Sequence, residues 1–265
     1  MRAVSVDRDS LVVTSGFWQT NAVAIRAGGE TVLIDSPYLP EELESLPGLL
    51  AGAGFEPDGL LATHADFDHL LGRLAFPGLT LGVGESSAER MRREPGAAQR
   101  HLRHYDEKFY VVRPAPLALG QVQPLPVPGR IDLGSGEGAI ELELHPAEGH
   151  TADGSAILAR SLGVLVLGDY LSAVEIPWIS SGGTLDDYLA TLARLAPLLE
   201  AAETIVPGHG PVHPPGTALR LLEEDLAYLG ELRAGAERVR LPAGRDTREQ
   251  RKIHAQNVAA VAGAA

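Results

Sequence analysis

The sequence of 265 residues contains no cysteine. This absence excludes disulfide bonds, thiolate metal sites and a cysteine nucleophile. A metal ion bound by this chain would therefore need histidine and carboxylate ligands. Such ligands favour Zn, Fe or Mn over the soft metals that prefer sulfur.

Positive charge and long apolar runs are also scarce. The formal net charge is -13, whereas a nucleic-acid-binding protein usually carries a basic face. The N-terminus lacks the apolar core of a signal peptide, and the longest apolar stretch, 156–174, is interrupted by Arg160 and Asp169. We therefore expect a cytoplasmic protein with neither a membrane nor a nucleic-acid partner. Its 45% hydrophobic residues argue for a sizeable folded core.

Strands and helices are predicted to follow one another twice along the chain. Short β-rich runs fill residues 1–35, and later helical patterns include 184–202 and the C-terminal region 216–262. This order predicts a single domain over 1–265, with a two-sheet core and helices outside. Within residues 84–130, a charged helical region interrupted near Pro95 precedes a proline-rich, irregular stretch. We predict that this segment is a lid or insertion.

Histidine and carboxylate side chains concentrate just after predicted strands. The six residues His64 to His69 contain two histidines and two aspartates, and single candidates follow four other strands. Because strand ends at a common sheet edge converge, these residues are expected to lie close together. One such histidine is usually structural, but five such positions indicate a shared metal site. The candidates are Asp35, His64, Asp66, Asp68, His69, His150, Asp169 and His209.

The order of these motifs resembles the metallo-β-lactamase superfamily over about 20–210. The family has an aspartate closing an early strand, a His-x-His-x-Asp-His loop, and then Gly-His, Gly-Asp and Gly-His motifs. The resemblance implies an αββα sandwich, in which two mixed β-sheets pack face to face with helices on the outer faces. It also implies two divalent metal ions between the sheets, with occupancy by one ion as the alternative.

The resemblance also implies a role for each residue. His64, Asp66 and His150 would hold one ion, Asp68, His69 and His209 would hold the other, and Asp169 would bridge them. Asp35 would orient the loop through hydrogen bonds, with Thr63 and Thr151 as further supports, because metal ligands commonly need such partners.

One loop position departs from the family pattern, since Asp66 stands where the second histidine is expected. Three carboxylates and a bridging hydroxide would formally neutralise two divalent ions, whereas a histidine at 66 would leave the site one charge more positive. We therefore expect weaker Lewis acidity and a preference for Mn or Fe over Zn.

The favoured function is that of a metal-dependent hydrolase. A metal-bound hydroxide would attack an ester, thioester, lactone or phosphodiester-type small molecule, and Asp68 would be the catalytic residue that holds this nucleophile and transfers a proton.

Two other functions remain open from the sequence. The first is an iron-dependent oxidoreductase of the same fold, similar to flavodiiron proteins or persulfide dioxygenases, since the flavodiiron branch carries Glu at the position of Asp66. The second is a binding module that has lost catalysis, although the nearly full ligand set argues against it.

Aromatic residues in loops beside the motifs are weak candidates for the substrate pocket, because plain packing would explain each of them equally well. They are Trp18, Tyr38, Tyr170 and Trp178. The sequence leaves the oligomeric state open, including a homodimer.

Overall fold

Two β-sheets form the centre of the protein in a computed structural model, which describes residues 1–235 and 239–263. The first sheet has seven strands in sequence order, namely β1 (Arg2–Ser5), β2 (Ser10–Thr14), β3 (Asn21–Ala27), β4 (Glu30–Asp35), β5 (Gly59–Ala62), β6 (Leu81–Gly84) and β7 (Val122–Leu125). The second has five, namely β8 (Gly129–Leu133), β9 (Ile140–Pro146), β10 (Ser155–Ala159), β11 (Val164–Val166) and β12 (Thr204–Val206).

Seven helices accompany these strands within the described ranges. They are α1 (Pro40–Gly52), α2 (Gly72–Ala75), α3 (Glu85–Arg93), α4 (Ala97–Phe109), α5 (Leu185–Glu200), α6 (Pro215–Arg233) and α7 (Arg248–Gly263). The break between α3 and α4 confirms the interruption predicted near Pro95. None of the helices in the described part of the chain is long and apolar enough to cross a membrane.

Three apolar layers give the αββα order that the sequence predicts. The middle layer joins the two sheets, for example through Ile34 of β4 and Val166 of β11. One outer layer packs the first sheet against α1 to α4, and the other packs the second sheet against α5, α6 and α7. Burial on both faces accounts for fully apolar strands such as β11. The predicted sandwich of two mixed sheets is thereby confirmed.

Strand direction brings the loops with candidate ligands to one edge of the sandwich. Strands β4, β5, β6 and β7 run parallel to each other. In the second sheet β11 is parallel to β12, and β9 has the same direction because both β9 and β11 are antiparallel to β10. The carboxyl ends of β4, β5, β9, β11 and β12 therefore carry the loops that build the site.

The proline-rich stretch 111–130 is more regular than the sequence predicts. Strand β7 pairs in parallel with β6, and β8 begins at Gly129 and pairs antiparallel with β9. Each is the last strand of its sheet. An edge strand tolerates proline because one side of its backbone needs no sheet partner. The prolines thus concealed two edge strands, and the expectation of an irregular segment was wrong here.

Candidate metal centre

Seven histidine and aspartate side chains from both sheets meet between the strand ends. They are His64, Asp66, Asp68, His69, His150, Asp169 and His209. Asp169 lies in the middle, with Oδ2 3.3 Å from Nε2 of His150 and Oδ1 3.4 Å from Nε2 of His209. Each oxygen of this carboxylate faces a different group of histidines, which is the geometry expected of a bridging residue.

The remaining six residues form two separate groups. In the first, His64, Asp66 and His150 present ligand atoms that all lie within 4.8 Å of one another. The second consists of Asp68, His69 and His209 and meets the same distance limit. The structure thus brings together the two sets of three that the resemblance implies.

Hydrogen bonds at Nδ1 fix the orientation of the histidine rings. Nδ1 of His150 lies 2.8 Å from the Trp178 carbonyl oxygen, and Nδ1 of His209 lies 3.0 Å from the Trp18 carbonyl oxygen. A carbonyl oxygen only accepts hydrogen bonds, so both Nδ1 atoms must carry the proton. The lone pair of each neutral ring is then on Nε2, the atom that faces the centre.

Asp35 orients the two histidines of the 64–69 loop. Its carboxylate accepts hydrogen bonds from the backbone N–H and the hydroxyl of Thr63, and it lies 2.9 Å from Nδ1 of His69. The Thr63 hydroxyl donates to Asp35 and is therefore free to accept from Nδ1 of His64, 3.1 Å away. Asp35 thus aims His69 directly and His64 through Thr63. Its own φ of 57° lies in the left-handed region, where strain concentrates at functional sites.

Buried atoms without a hydrogen-bond partner point into this centre. They include Nε2 of His64, His69 and His150 and Oδ1 of Asp169. Leaving such atoms buried and unpaired costs free energy unless another partner binds them. Imidazole and carboxylate donors at this spacing fit divalent Zn, Fe or Mn.

The electrostatics favour positive charge at the same place. Burial lowers the pKa of His150, but the carboxylates of Asp169 and Asp66 raise it to about 9. Burial also lowers the pKa of His209, yet Glu175 and Asp169 raise it to about 10. The centre thus attracts cations, either as protons on these rings or as metal ions.

An arginine that sequence reasoning missed neutralises Asp66. Arg90 of α3 donates to Oδ1 of Asp66 at 2.7 Å and to Oδ1 of Asp153 at 2.8 Å. Asp66 keeps Oδ2 for the centre, 3.6 Å from Nε2 of His150. The charge count from the sequence did not include this arginine, because 24 positions separate it from Asp66 and no local pattern links them.

Asp153 was also missed, although it ties the two sheets together beside the centre. Its buried carboxylate accepts hydrogen bonds from the Ala65 backbone N–H, the Ser87 hydroxyl and Arg90. The nearby Thr151 hydroxyl donates to the Asp153 carbonyl at 2.8 Å, so Thr151 shapes the turn after His150. The sequence signal that could have identified Asp153 is its position two residues after Thr151, which was predicted as a support of the centre.

A glycine without an obvious ligand role is required by close packing at the centre. A Cβ atom on Gly208 would lie 2.3 Å from Oδ1 of Asp169 and 2.9 Å from Cε1 of His69. The Gly-His motif at 208–209 therefore keeps space free for the ligands of the centre as well as supplying His209.

Aromatic side chains surround one side of the centre, but they pack mainly on each other. Trp18 has ring centroids 5.0 Å from Tyr38 and 5.1 Å from Tyr105 of α4. Tyr38 is fully buried, and its hydroxyl donates to Asp106. Phe67 stacks on Tyr105 at 5.1 Å. Of the pocket candidates on this side, Trp18 is therefore the partly exposed one.

Tyr170 and Trp178, the other two pocket candidates, both support His150. The buried Tyr170 hydroxyl accepts from the His150 backbone N–H and donates to the Glu148 carbonyl. Trp178 supplies the carbonyl that accepts from His150, and its ring lies 5.6 Å from the imidazole. Structural roles thus account for Tyr170, and substrate contact by any of the four aromatics stays a prediction.

Comparison with known proteins agrees with this architecture. The profile described as metallo-beta-lactamase superfamily matches residues 15–209. A metallo-beta-lactamase family protein from Thermus thermophilus is 22% identical, with a TM-score of 0.66 over 88% of this chain and 85% of that one. No match was found among curated proteins.

Two further solved structures share the fold at low identity. TTHA1623 in a di-iron-bound form is 24% identical, with a TM-score of 0.60 over 79% of this chain and 97% of that one. The DIM-1 metallo-beta-lactamase exposed to ceftazidime is 18% identical, with a TM-score of 0.59 over 84% and 96%. The family match covers most of the chain, including every motif of the centre, and so the chain belongs to the metallo-beta-lactamase superfamily.

Proposed function

We propose that this protein is a metal-dependent hydrolase that binds two divalent ions at the centre between its sheets. The observation that carries this proposal is the set of buried, unpartnered Nε2 atoms that face carboxylates. His64, Asp66 and His150 would hold one ion, and Asp68, His69 and His209 the other. Asp169 would contact both through its two oxygens.

Metal ions in such a site lower the pKa of bound water towards neutrality and polarise the oxygen of the bond to be cleaved. The chain's own residues supply position and proton handling. Asp68 is the proposed catalytic residue, because its Oδ2 lies 3.4 Å from Nε2 of His209 at the inner face of the centre. It would accept a proton from the attacking water and return it to the leaving group.

Arg90 changes the expected consequence of the Asp66 substitution. Its positive charge offsets the negative charge of Asp66. With Arg90 included, this half of the centre has the same formal charge as it would have with a neutral histidine at position 66. The oxygen donor itself remains, and hard ions such as Mn or Fe prefer oxygen ligands. We therefore attribute any preference for these ions to ligand type more than to net charge.

The proposed substrate is a small molecule with an ester, thioester, lactone or phosphodiester bond. The chain's net charge of -13 makes a nucleic acid an unfavourable substrate. The partly exposed aromatic side chains of Trp18 and Tyr105 beside the centre favour a substrate with an apolar part. Helix α4, which carries Tyr105, belongs to the 84–130 segment that we propose as a lid.

Hydrolysis can be tested with protein reconstituted separately with Zn, Mn and Fe. Representative esters, thioesters, lactones and phosphodiesters are incubated in water enriched in oxygen-18. We expect one oxygen from the solvent in the product and no turnover after chelation. Asp68→Asn should lose turnover, whereas Asp132→Asn on the exposed part of β8 should not. Full activity of Asp68→Asn would refute the assigned role.

An iron-dependent oxidation is the second candidate function. The carboxylate at Asp66 favours it, and the similar protein TTHA1623 was solved with two irons. Oxygen consumption by the iron-loaded protein with a thiol substrate distinguishes the two functions. Consumption without solvent oxygen in a hydrolysis product would replace the hydrolase proposal.

A further inference from the structure

A fourth carboxylate faces the centre from a position that the family pattern does not include. Glu175 lies on the loop between β11 and α5, six residues after Asp169. Its ligand atom lies within 4.8 Å of those of Asp169 and His209. The carboxylate thus reaches the half of the centre that contains Asp68, His69 and His209.

Hydrogen bonds between buried side chains and the backbone hold this loop in place. The Ser172 hydroxyl donates to the His209 carbonyl and accepts from the backbone N–H of Glu175 at 3.1 Å. The guanidinium of Arg245 donates to the carbonyls of Ser172 and Glu175, while it pairs with Asp225. Arg245 is 1% exposed, so a buried guanidinium group holds the backbone of the loop.

The C-terminal helix anchors the next part of the same loop. Gln250 accepts from the backbone N–H of Ile176, and Asn257 accepts from that of Ile179 while donating to the Pro177 carbonyl. Both side chains of α7 are buried. The loop position is therefore determined by tertiary contacts on both sides of Glu175, which preorganises the carboxylate toward the centre.

The surroundings of Glu175 make a cation its natural partner. Its half-buried carboxylate faces the carboxylates of Asp169 and Asp68, which repel it, as well as His209. Three carboxylates thus crowd the half that also carries His69 and His209. The four carboxylates of Asp66, Asp68, Asp169 and Glu175 together with Arg90 give the centre a formal charge of -3. With one hydroxide, this charge would neutralise two divalent ions.

We propose that Glu175 is an additional ligand of the ion held by Asp68, His69 and His209. This inference rests on the proposed two-metal function and extends it. With Asp68, Asp169 and Glu175, that half has more oxygen donors than imidazoles. Such a set selects Mn or Fe over Zn, and it makes the second half, rather than Asp66 alone, the source of the metal preference.

Metal titration of the full-length protein tests the proposal without relying on activity. After chelation and dialysis, Mn²⁺ binding is followed by electron paramagnetic resonance and Zn²⁺ binding by calorimetry. Glu175→Gln keeps the shape of the side chain but removes its charge. We expect its Mn²⁺ affinity for one of two sites to fall about tenfold or more, with a smaller loss for Zn²⁺.

Two further variants control for indirect effects. Glu143→Gln removes a buried glutamate, whose carboxylate accepts hydrogen bonds from Arg160 just after the end of β10, and it should leave both affinities unchanged. Glu175→Asp keeps the charge on a shorter side chain and should weaken Mn²⁺ binding. It provides the measurement if Glu175→Gln does not fold, as judged by circular dichroism.

The titrations separate the role of Glu175 from the two-metal function. Unchanged Mn²⁺ affinity in Glu175→Gln and Glu175→Asp, with two ions bound by the unaltered protein, would overturn the role of Glu175 and leave the two-metal function intact. Failure of the unaltered protein to bind Mn²⁺, Zn²⁺ or Fe²⁺ would overturn the proposed function itself.

Discussion

The two sheets contribute to the centre in different ways. The seven-stranded sheet supplies four candidate ligands from one loop, since His64, Asp66, Asp68 and His69 all follow β5. The five-stranded sheet supplies His150, Asp169 and His209 from three separate loops. The first contribution is therefore local in sequence, whereas the second depends on correct placement of three loops by the rest of the fold.

The supporting hydrogen bonds reflect this difference. The 64–69 loop is set by a short 3-10 turn at Phe67–His69 and by Asp35 at the end of the neighbouring strand. By contrast, His209 is aimed by Trp18, 191 positions away in sequence. The backbone N–H of Asn21 donates to the Gly208 carbonyl, and that of Gly210 donates to the Gln19 carbonyl. These two hydrogen bonds join the two sheets beside His209. Asp35 thus orients the 64–69 loop from the adjacent strand, whereas His209 is oriented by a loop residue of the other sheet.

Substitution of Asp169 should have the largest effect on metal binding, because its carboxylate faces both groups of ligands. Asp169→Asn keeps its shape and removes its charge. We expect at least one metal ion per chain to be lost and kcat/KM to fall about 1000-fold, roughly 4 kcal/mol. Elemental analysis and steady-state kinetics measure both effects, with Asp132→Asn as control. Retention of two ions and normal turnover would contradict a bridging role.

Metal removal should destabilise the ligand loops of the two sheets to different extents. Ions present at about a thousandfold excess over Kd contribute about 4 kcal/mol, so chelation should lower Tm by roughly 10 °C. We also expect amide exchange to increase more in the loops that carry His150, Asp169 and His209 than in the 64–69 loop, which keeps its hydrogen bonds to Asp35 and Asp153. Equal exchange in all four loops would argue against the distinction.

Asp153 offers a test of the link between the sheets. Asp153→Asn removes a buried charge that accepts from Ala65, Ser87 and Arg90. Its loss should reduce the free energy of unfolding by about 3 kcal/mol, because hydrogen bonds to charged groups are the stronger class. Urea unfolding measures the change. Glu141→Gln, which breaks an ion pair with Arg130 that is exposed on both sides, should have little effect, and an equal loss in both variants would contradict the prediction.

Glu42 is expected to make the smallest of these contributions to the free energy of unfolding, and its contribution depends on pH. Burial raises its pKa, but hydrogen bonds from Gly16, Ser15 and Leu39 outweigh burial and lower it below 4.5. The stabilisation is therefore present above pH 4.5 and is lost as the pH falls through the pKa of the folded protein.

Glu42→Gln tests this stabilisation and the loop that carries Trp18. We expect it to reduce the free energy of unfolding by about 1.5 kcal/mol at about pH 7, and the difference from the unaltered protein should shrink below pH 4.5. Thermal unfolding at a series of pH values measures this dependence. A difference that is constant or grows as the pH falls would contradict the assignment.

The arrangement of strands and ligand motifs could be predicted because it is written in local patterns. Apolar β-rich runs ending in Asp35, His64, Asp169 or His209 indicate both the strand and the chemistry at its end. The prediction failed where prolines concealed β7 and β8, since the tolerance of an edge strand for proline depends on which strands lie beside it.

Arg90 and Glu175 could not be predicted from their own neighbourhoods, whereas Asp153 had a local signal in its position two residues after Thr151. Arg90 lies in a charged helical pattern that equally describes a solvent-exposed face, and Glu175 lies in a loop without a ligand motif. Their roles follow from side chains that come together over long sequence separations, such as the 63 positions between Arg90 and Asp153. Pairing of this kind leaves no periodicity in the sequence.

Strand periodicity, glycine-containing turns and the absence of cysteine are properties of the chain, and they were enough to predict the family, the two-sheet architecture and the types of ligand available. Folding sets which atoms of those ligands face each other, pairs Arg90 with Asp66, and brings Glu175 to the centre. Hydrogen bonds and charges act over a few ångströms in space, and these residues, which are distant in sequence, come within that range only in the folded chain.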